Sequence, residues 1–285
     1  MVLAHHPGEE VWGFVAHPDV WLMVVALVGG YFAALRYLVP PEHALEPATA
    51  TQKLSYLFGV AILWIGADWP LHELSEDYLF SAHMVQHTLF SLVAPPFLLL
   101  GLPAWLTRKI VAPVFPLLRF LTRPLIALVV FNAVIVVTHW PALVNAAVTS
   151  EPLHFALHVV LVSSALLMWW PVVDPLPELK RLEPPSKMLY LFLQSIVPTV
   201  PASFLTFAST PLYSAYVEAP RLWGISAITD QMVAGLIMKI VGGLLLWLAI
   251  AFLFFKWYAA EQKDQQGEVA WDDFERELEV WDLRR

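Results

Sequence analysis

LFSAHMVQHTLFSLVAPPFLLLGLP, residues 79–103, is long and apolar enough to cross the roughly 30 Å hydrocarbon core of a bilayer. It nevertheless carries His83, Gln86 and His87 near one end and a Pro95-Pro96 pair toward the other. Polar groups inside a membrane helix are expensive and usually have a task. His83 and His87 are four apart, so both rings project from one face, one turn above the other. That spacing suits two ligands of one metal ion, and it equally suits two histidines satisfied by hydrogen bonds to neighbouring helices. The proline pair removes two backbone donors and predicts a kink, with Gly101 and Pro103 ending the helix.

The rest of the chain agrees with a bilayer as its solvent. Of 285 residues, 59% are hydrophobic and 14% charged, with thirteen tryptophans, which is the composition of a membrane protein. There is no cysteine, so disulfides and thiolate metal sites are excluded and any metal chemistry falls to His, Met and carboxylates. The first residues, MVLAHHPGEE, have neither the basic start nor the apolar core of a cleavable signal, so insertion is expected to rely on the first span. A formal net charge of -8 gives no reason to expect a nucleic-acid partner.

Seven stretches have the length and hydropathy of spans: about 20–39, 54–71, 79–103, 124–141, 153–173, 188–210 and 229–257. Proline-rich connections separate them and no internal repeat appears. The fold class expected is all-α, a polytopic bundle, because a bilayer admits only helices or closed barrels and these segments are too long for strands. Three regions follow: an arm over 1–19, the seven-helix bundle over 20–257 and an acidic tail over 258–285. Lysine and arginine set the orientation. Arg36 and Lys53 edge loop one, Arg108, Lys109, Arg119 and Arg123 lie in loop three, and Lys180, Arg181 and Lys187 in loop five. Lys256, Lys263, Arg276, Arg284 and Arg285 lie in the tail, whereas loop six has only Arg221 and the arm and loops two and four have none. The N-terminus is therefore expected outside and the C-terminus in the cytoplasm.

On that topology the histidines gather in the outer layer. His5, His6 and His17 fall in the arm, His72 in loop two, His83 and His87 in the third span, His139 at the end of the fourth, and His154 and His158 in the fifth; only His43 is cytoplasmic. His154 and His158 repeat the four-residue spacing, which gives the first pair candidate partners if the two helices are neighbours. Imidazole suits copper, zinc and iron, and a thioether from Met84 or Met232 would favour Cu(I). Asp68 is a candidate to orient a liganding imidazole. Asp230, beside Gln231 at the start of the last span, reads equally as a ligand or as a helix cap. Arm histidines such as His5, His6 and His17 either capture metal outside or stand solvated. Lys239, near the bilayer midplane, fits a structural lysine bonded to helix carbonyls or a proton-relay group better than a retinal site, which would want carboxylate counter-ions in span three. In the tail, Trp271, Phe274, Leu278 and Trp281 recur at helical spacing among acids, predicting a short amphipathic helix on the bundle, the headgroups or a partner.

Four runs carry a family likeness: LWIGADWPLHELSEDYLFSAHMVQHTLFSLVAPPFLLLGLP, THWP, LHFALHVVLVSSALLMWWPVVDP and ITDQMVAGLIMKIVGG. From about Ser55 to Gly243 the chain resembles the polytopic CtaG family of cytochrome c oxidase assembly factors associated with caa(3)-type oxidases. His83 and His87 match its HMxQH, His139 its histidine before Trp-Pro, and His154 and His158 the pair opening the fifth span. Asp230-Gln231 matches its DQ and Asp68 an acidic position ending the second span; His72 matches nothing in the pattern, and Lys239 stands where an aromatic residue is usual. The resemblance implies a multi-pass protein of the bacterial cytoplasmic membrane, not an enzyme, that helps an oxidase catalytic subunit acquire copper. Three other functions compete: a b-type haem protein using histidines from two helices as axial ligands, a metal or proton-coupled transporter, and an assembly scaffold that touches no metal.

Overall fold

The computed structural model describes residues 12–179 and 182–282, without the side chains of 264–273 and 280–282. The expectations for His5, His6, Lys180, Arg181 and the Trp271 and Trp281 side chains lie outside the described residues. Within them the fold is all-helical: α1 (Pro18–Tyr37), α2 (Ala50–Ala67), α3 (Leu71–Tyr78), α4 (Phe80–Gly101), α5 (Ala104–Leu121), α6 (Pro124–Thr138), α7 (Pro141–Val148), α8 (Glu151–Val173), α9 (Pro184–Phe207), α10 (Ser214–Glu218) and α11, which runs from Ala227 to Asp282.

Five of these helices are long and apolar enough to cross a bilayer, and the number rises to seven when two bent pairs each count as one span. The pairs are α2 with α3, bent by 52°, and α5 with α6, bent by 92°. The expected stretch 54–71 thus ends early, at Ala67, because Asp68 leaves the helical region and Trp69-Pro70 follows. Prolines open α1, α6, α7, α8 and α9 in their first turn, where a missing N–H costs nothing. Many large apolar side chains are exposed, among them Leu22, Leu125, Phe155, Phe204 and Phe252, which is the surface a helix shows to lipid.

The core is built around α4, which packs on α2, α8 and the start of α11. Gly66 lets α2 approach, since a Cβ there would lie 2.4 Å from Phe90 Cε1. Buried Gln86 ties the same helices, its Nε2 donating to Gly66 O at 2.8 Å. The proline pair does not break α4. A π turn over Leu89–Val93 precedes it, and the Ser91 carbonyl, which Pro95 has no N–H to meet, accepts from Trp169 Nε1 of α8 at 3.1 Å. A second π turn, Ile237–Val241, lies in α11.

The tail departs from expectation as well. It is not a separate short helix: α11 continues unbroken from Gly242 to Asp282, and Phe274 and Leu278 are exposed. At the opposite end from the histidine layer, Arg108 donates from Nε to Glu178 at 2.7 Å, and that hydrogen bond holds the Glu178 carboxyl below its ordinary pKa.

Candidate metal centre

His83, His87, His139, His154 and His158 are each delivered by a distinct local device. Leu79, the residue before α4, is extended and offers no side-chain cap. The cap comes from α11 instead: Asp230 accepts from Phe80 N at 2.7 Å and Ser81 N at 3.0 Å. His83 and His87 follow on the first two turns. Glu151 and Pro152 open α8, which sets His154 in its first turn and His158 one turn on. His139 ends α6, and its backbone carbonyl accepts from Tyr213 Oη at 3.0 Å. Burial pushes the phenol pKa of Tyr213 and of Tyr216 upward, so both remain donors; Tyr216 Oη reaches Ser75 O at 3.0 Å.

The five rings form one contiguous cluster. Ring centroids lie 4.2 Å apart for His83 and His87, 4.3 Å for His154 and His158, 5.4 Å for His83 and His154, 5.4 Å for His87 and His158, and 5.8 Å for His87 and His139. His83, His154 and His158 each present a ring nitrogen such that all three lie within 4.8 Å of one another. Two nitrogens bound to one ion at about 2.0–2.1 Å stand at most about 4.2 Å apart. The 3.1 Å between His154 Nε2 and His158 Nε2 is inside that limit, and the wider pairs need only a small closure.

Mutual hydrogen bonding accounts for the 3.1 Å contact but not for the cluster as a whole. His83 Nδ1, His87 Nδ1, His154 Nδ1 and His139 Nε2 are buried with no hydrogen-bond partner. Buried polar atoms are nearly always bonded, and those that are not call for a reason such as an ion. In His139 the other nitrogen is committed: Nδ1 stands 2.7 Å from Ile135 O, so it carries the hydrogen and Nε2 keeps a free lone pair. This is how a second bond sets the tautomer of a liganding imidazole.

The remaining candidates fall elsewhere. Asp68 is taken up by tryptophans, accepting from Trp21 Nε1 at 2.8 Å, Trp64 Nε1 at 2.5 Å and Trp69 N at 2.9 Å, with no imidazole among these partners. Asp230 is a cap, but for α4 across the fold rather than for its own helix. Gln231 likewise spans elements, accepting from Leu212 N at 2.6 Å. Met84 is buried and, with His87 and His139, lines a cavity of about 50 Å³. Met232 is 40% exposed and does not line that cavity, whereas Met238, one and a half turns further along α11, does. Lys239 lies in an open groove of about 900 Å³ with Ser203, Phe207 and Trp247, its Nζ 5.8 Å from the Phe207 ring centroid. His72 stands outside the five rings, with Nδ1 3.3 Å from Glu76 Oε1. Glu76 had a legible signal, since it follows His72 by one helical turn.

A multi-helix bundle with five to seven candidate spans and a buried cluster of imidazoles defines a polytopic α-helical protein with the donor set of a late-transition-metal site. The chain belongs to the cytochrome c oxidase caa3 assembly factor family, whose match covers residues 11–260. No curated protein and no solved structure matches it.

Proposed function

We propose that this assembly factor takes up a copper ion at the outer face of the bacterial cytoplasmic membrane, holds it transiently and passes it to the catalytic subunit of a cytochrome c oxidase. The observation that carries the proposal is the convergence of His83, His154 and His158 within 4.8 Å from two different helices. His87 and His139 extend the donor set, and the buried Met84 and partly buried Met238 line the cavity beside them. Both bent pairs then count as spans, giving seven crossings, the N-terminus outside and the C-terminus in the cytoplasm. The cationic residues of loops one and three support that orientation. Delivery of an ion requires no covalent chemistry, so the protein is not an enzyme in this reading.

Copper is favoured over haem by space. The cavity beside His87 and His139 is about 50 Å³, well below the roughly 300 Å³ at which small-molecule pockets begin. The test is the metal content of the full chain purified in detergent, wild type against the His83→Ala/His87→Ala and His154→Ala/His158→Ala doubles. Bound copper in the wild type, lost in both doubles, is the expected result. A Soret band without copper would replace the proposal with the haem reading. Wild-type protein that takes up no metal while oxidase assembly survives both doubles would leave a scaffold.

A further inference from the structure

Between the imidazole cluster and the outer rim lies a second line of donors that the cluster itself does not use. His17, just ahead of α1, places Nε2 2.5 Å from Glu73 Oε1 on α3, and its ring sits edge-on to His72 with centroids 4.7 Å apart. His72 Nδ1 is 3.3 Å from Glu76 Oε1. That same carboxylate oxygen is 3.3 Å from His154 Nδ1, and His154 belongs to the inner trio. One oxygen therefore stands beside His72 on one side and beside Nδ1 of His154, a member of the buried trio, on the other.

Two further observations mark this line as a place for a ligand. Glu73 is 8% exposed and its Oε2 has no hydrogen-bond partner. His154 Nδ1 is near Glu76 but is not aligned as a hydrogen bond, and it is also unpartnered. Buried polar atoms without partners are costly, and a cation passing along this line would give each of them one in turn. His72, Glu76 and His154 do not form a compact triad, whereas His83, His154 and His158 do. The outer residues are thus arranged in series with the inner site.

We propose that Glu76 is a transfer ligand: an incoming divalent cation is first held by His72 and Glu76, with His17 and Glu73 at the rim, and Glu76 then carries it to His154. Each step forms one coordinate bond and breaks another, and the oxidation state of the ion does not change. Imidazole with carboxylate is a donor set for borderline and harder divalent ions, while the inner set is all imidazole, so the ion moves toward softer ligands as it enters. The inference rests on the copper-site reading above.

The experiment is time-resolved loading of the full chain in detergent with Cu²⁺, followed by electron paramagnetic resonance to equilibrium. Glu76→Gln is expected to reach the wild-type stoichiometry with wild-type nitrogen hyperfine structure, but about tenfold or more slowly, the lower end of what supporting ligands contribute. His72→Ala is expected to slow loading in the same way. Glu151→Gln removes a nearby charge outside the line and is expected to load at the wild-type rate, which separates a ligand effect from general attraction. Loading by Glu76→Gln at the wild-type rate would overturn the inference and leave the inner site standing. A Glu76→Gln end point as low as that of the His154→Ala/His158→Ala double would also overturn it, by making Glu76 part of the resting site. Wild-type protein that binds no Cu²⁺ at all would instead remove the copper-site reading itself.

Discussion

Replacing Asp230 is expected to loosen the helix that carries His83 and His87 without touching either histidine. Asp230 is 1% exposed, and its two oxygens accept from Phe80 N at 2.7 Å and Ser81 N at 3.0 Å. These are two of the four N–H groups that every helix start leaves unpaired, and Leu79 supplies no substitute. A hydrogen bond to a carboxylate contributes about 1.5–3 kcal/mol, so the two together come to about 3–6 kcal/mol if they add. Asp230→Asn keeps one carbonyl oxygen and should lose about half of that; Asp230→Ala leaves both donors buried and should lose most of it. Unfolding in mixed micelles, followed by tryptophan fluorescence, should rank wild type above Asn above Ala. Hydrogen exchange should localise the effect, with the amides of residues 80–83 exchanging faster in Asp230→Ala than in the wild type while those of α2 stay protected. An Asp230→Ala protein within about 0.5 kcal/mol of the wild type, the range of an ordinary surface change, would refute the cross-helix cap.

Two other substitutions probe how α4 is seated. Gly66→Ala places a Cβ 2.4 Å from Phe90 Cε1 and should cost about 1–3 kcal/mol by overpacking; combined with Phe90→Leu in a double-mutant cycle it should cost less than the sum of the singles, and simple additivity would count against the close approach. Trp169→Phe retains a ring but withdraws the N–H that reaches Ser91 O at 3.1 Å, leaving a buried carbonyl at a cost of about 1–3 kcal/mol; an unchanged unfolding free energy would show that this carbonyl finds another donor.

Hydropathy made most of the long apolar helices legible to within a few residues, because twenty apolar residues in a row have few other uses, but it did not reveal α5 or the continuation of α11 past residue 257. The i, i+4 pairs were legible for the same reason: His83 with His87 and His154 with His158 each had to share a face. Their convergence was not, since lateral order depends on which helices pack, and α4 meets α8 through contacts such as Phe90 with His158 that leave no local trace. Asp230 shows the limit most sharply. Its place at a helix start left a local cap and a ligand role equally open, but its partners are 149 and 150 positions away. Met232 and Met238 were indistinguishable by type; six positions apart on α11 they stand on different faces, and only the packing of that helix shows that the first is exposed and the second lies beside His87 and His139. The bend after α2 was legible only as the end of a span, because polar residues such as His72, Glu73 and Glu76 follow Asp68; the bend between α5 and α6 was hidden because Arg108, Lys109 and Arg119 made α5 read as a charged loop.

The π turn at Leu89–Val93 has a consequence for how one helix can serve two neighbours. In an unbroken α-helix each residue advances the azimuth by about 100°, so His87 and Leu98, eleven positions apart, would point within about 20° of each other. A single wide turn holds one residue more, which offsets everything beyond it by about one residue's rotation. His87 can then look toward His158 at 5.4 Å while Leu98 closes on Gly59, where an added Cβ would meet it at 2.8 Å. The helix acts as a phase shifter: its chemical stripe and its packing stripe are set independently, and removing one residue between them would force the two to compete for the same side.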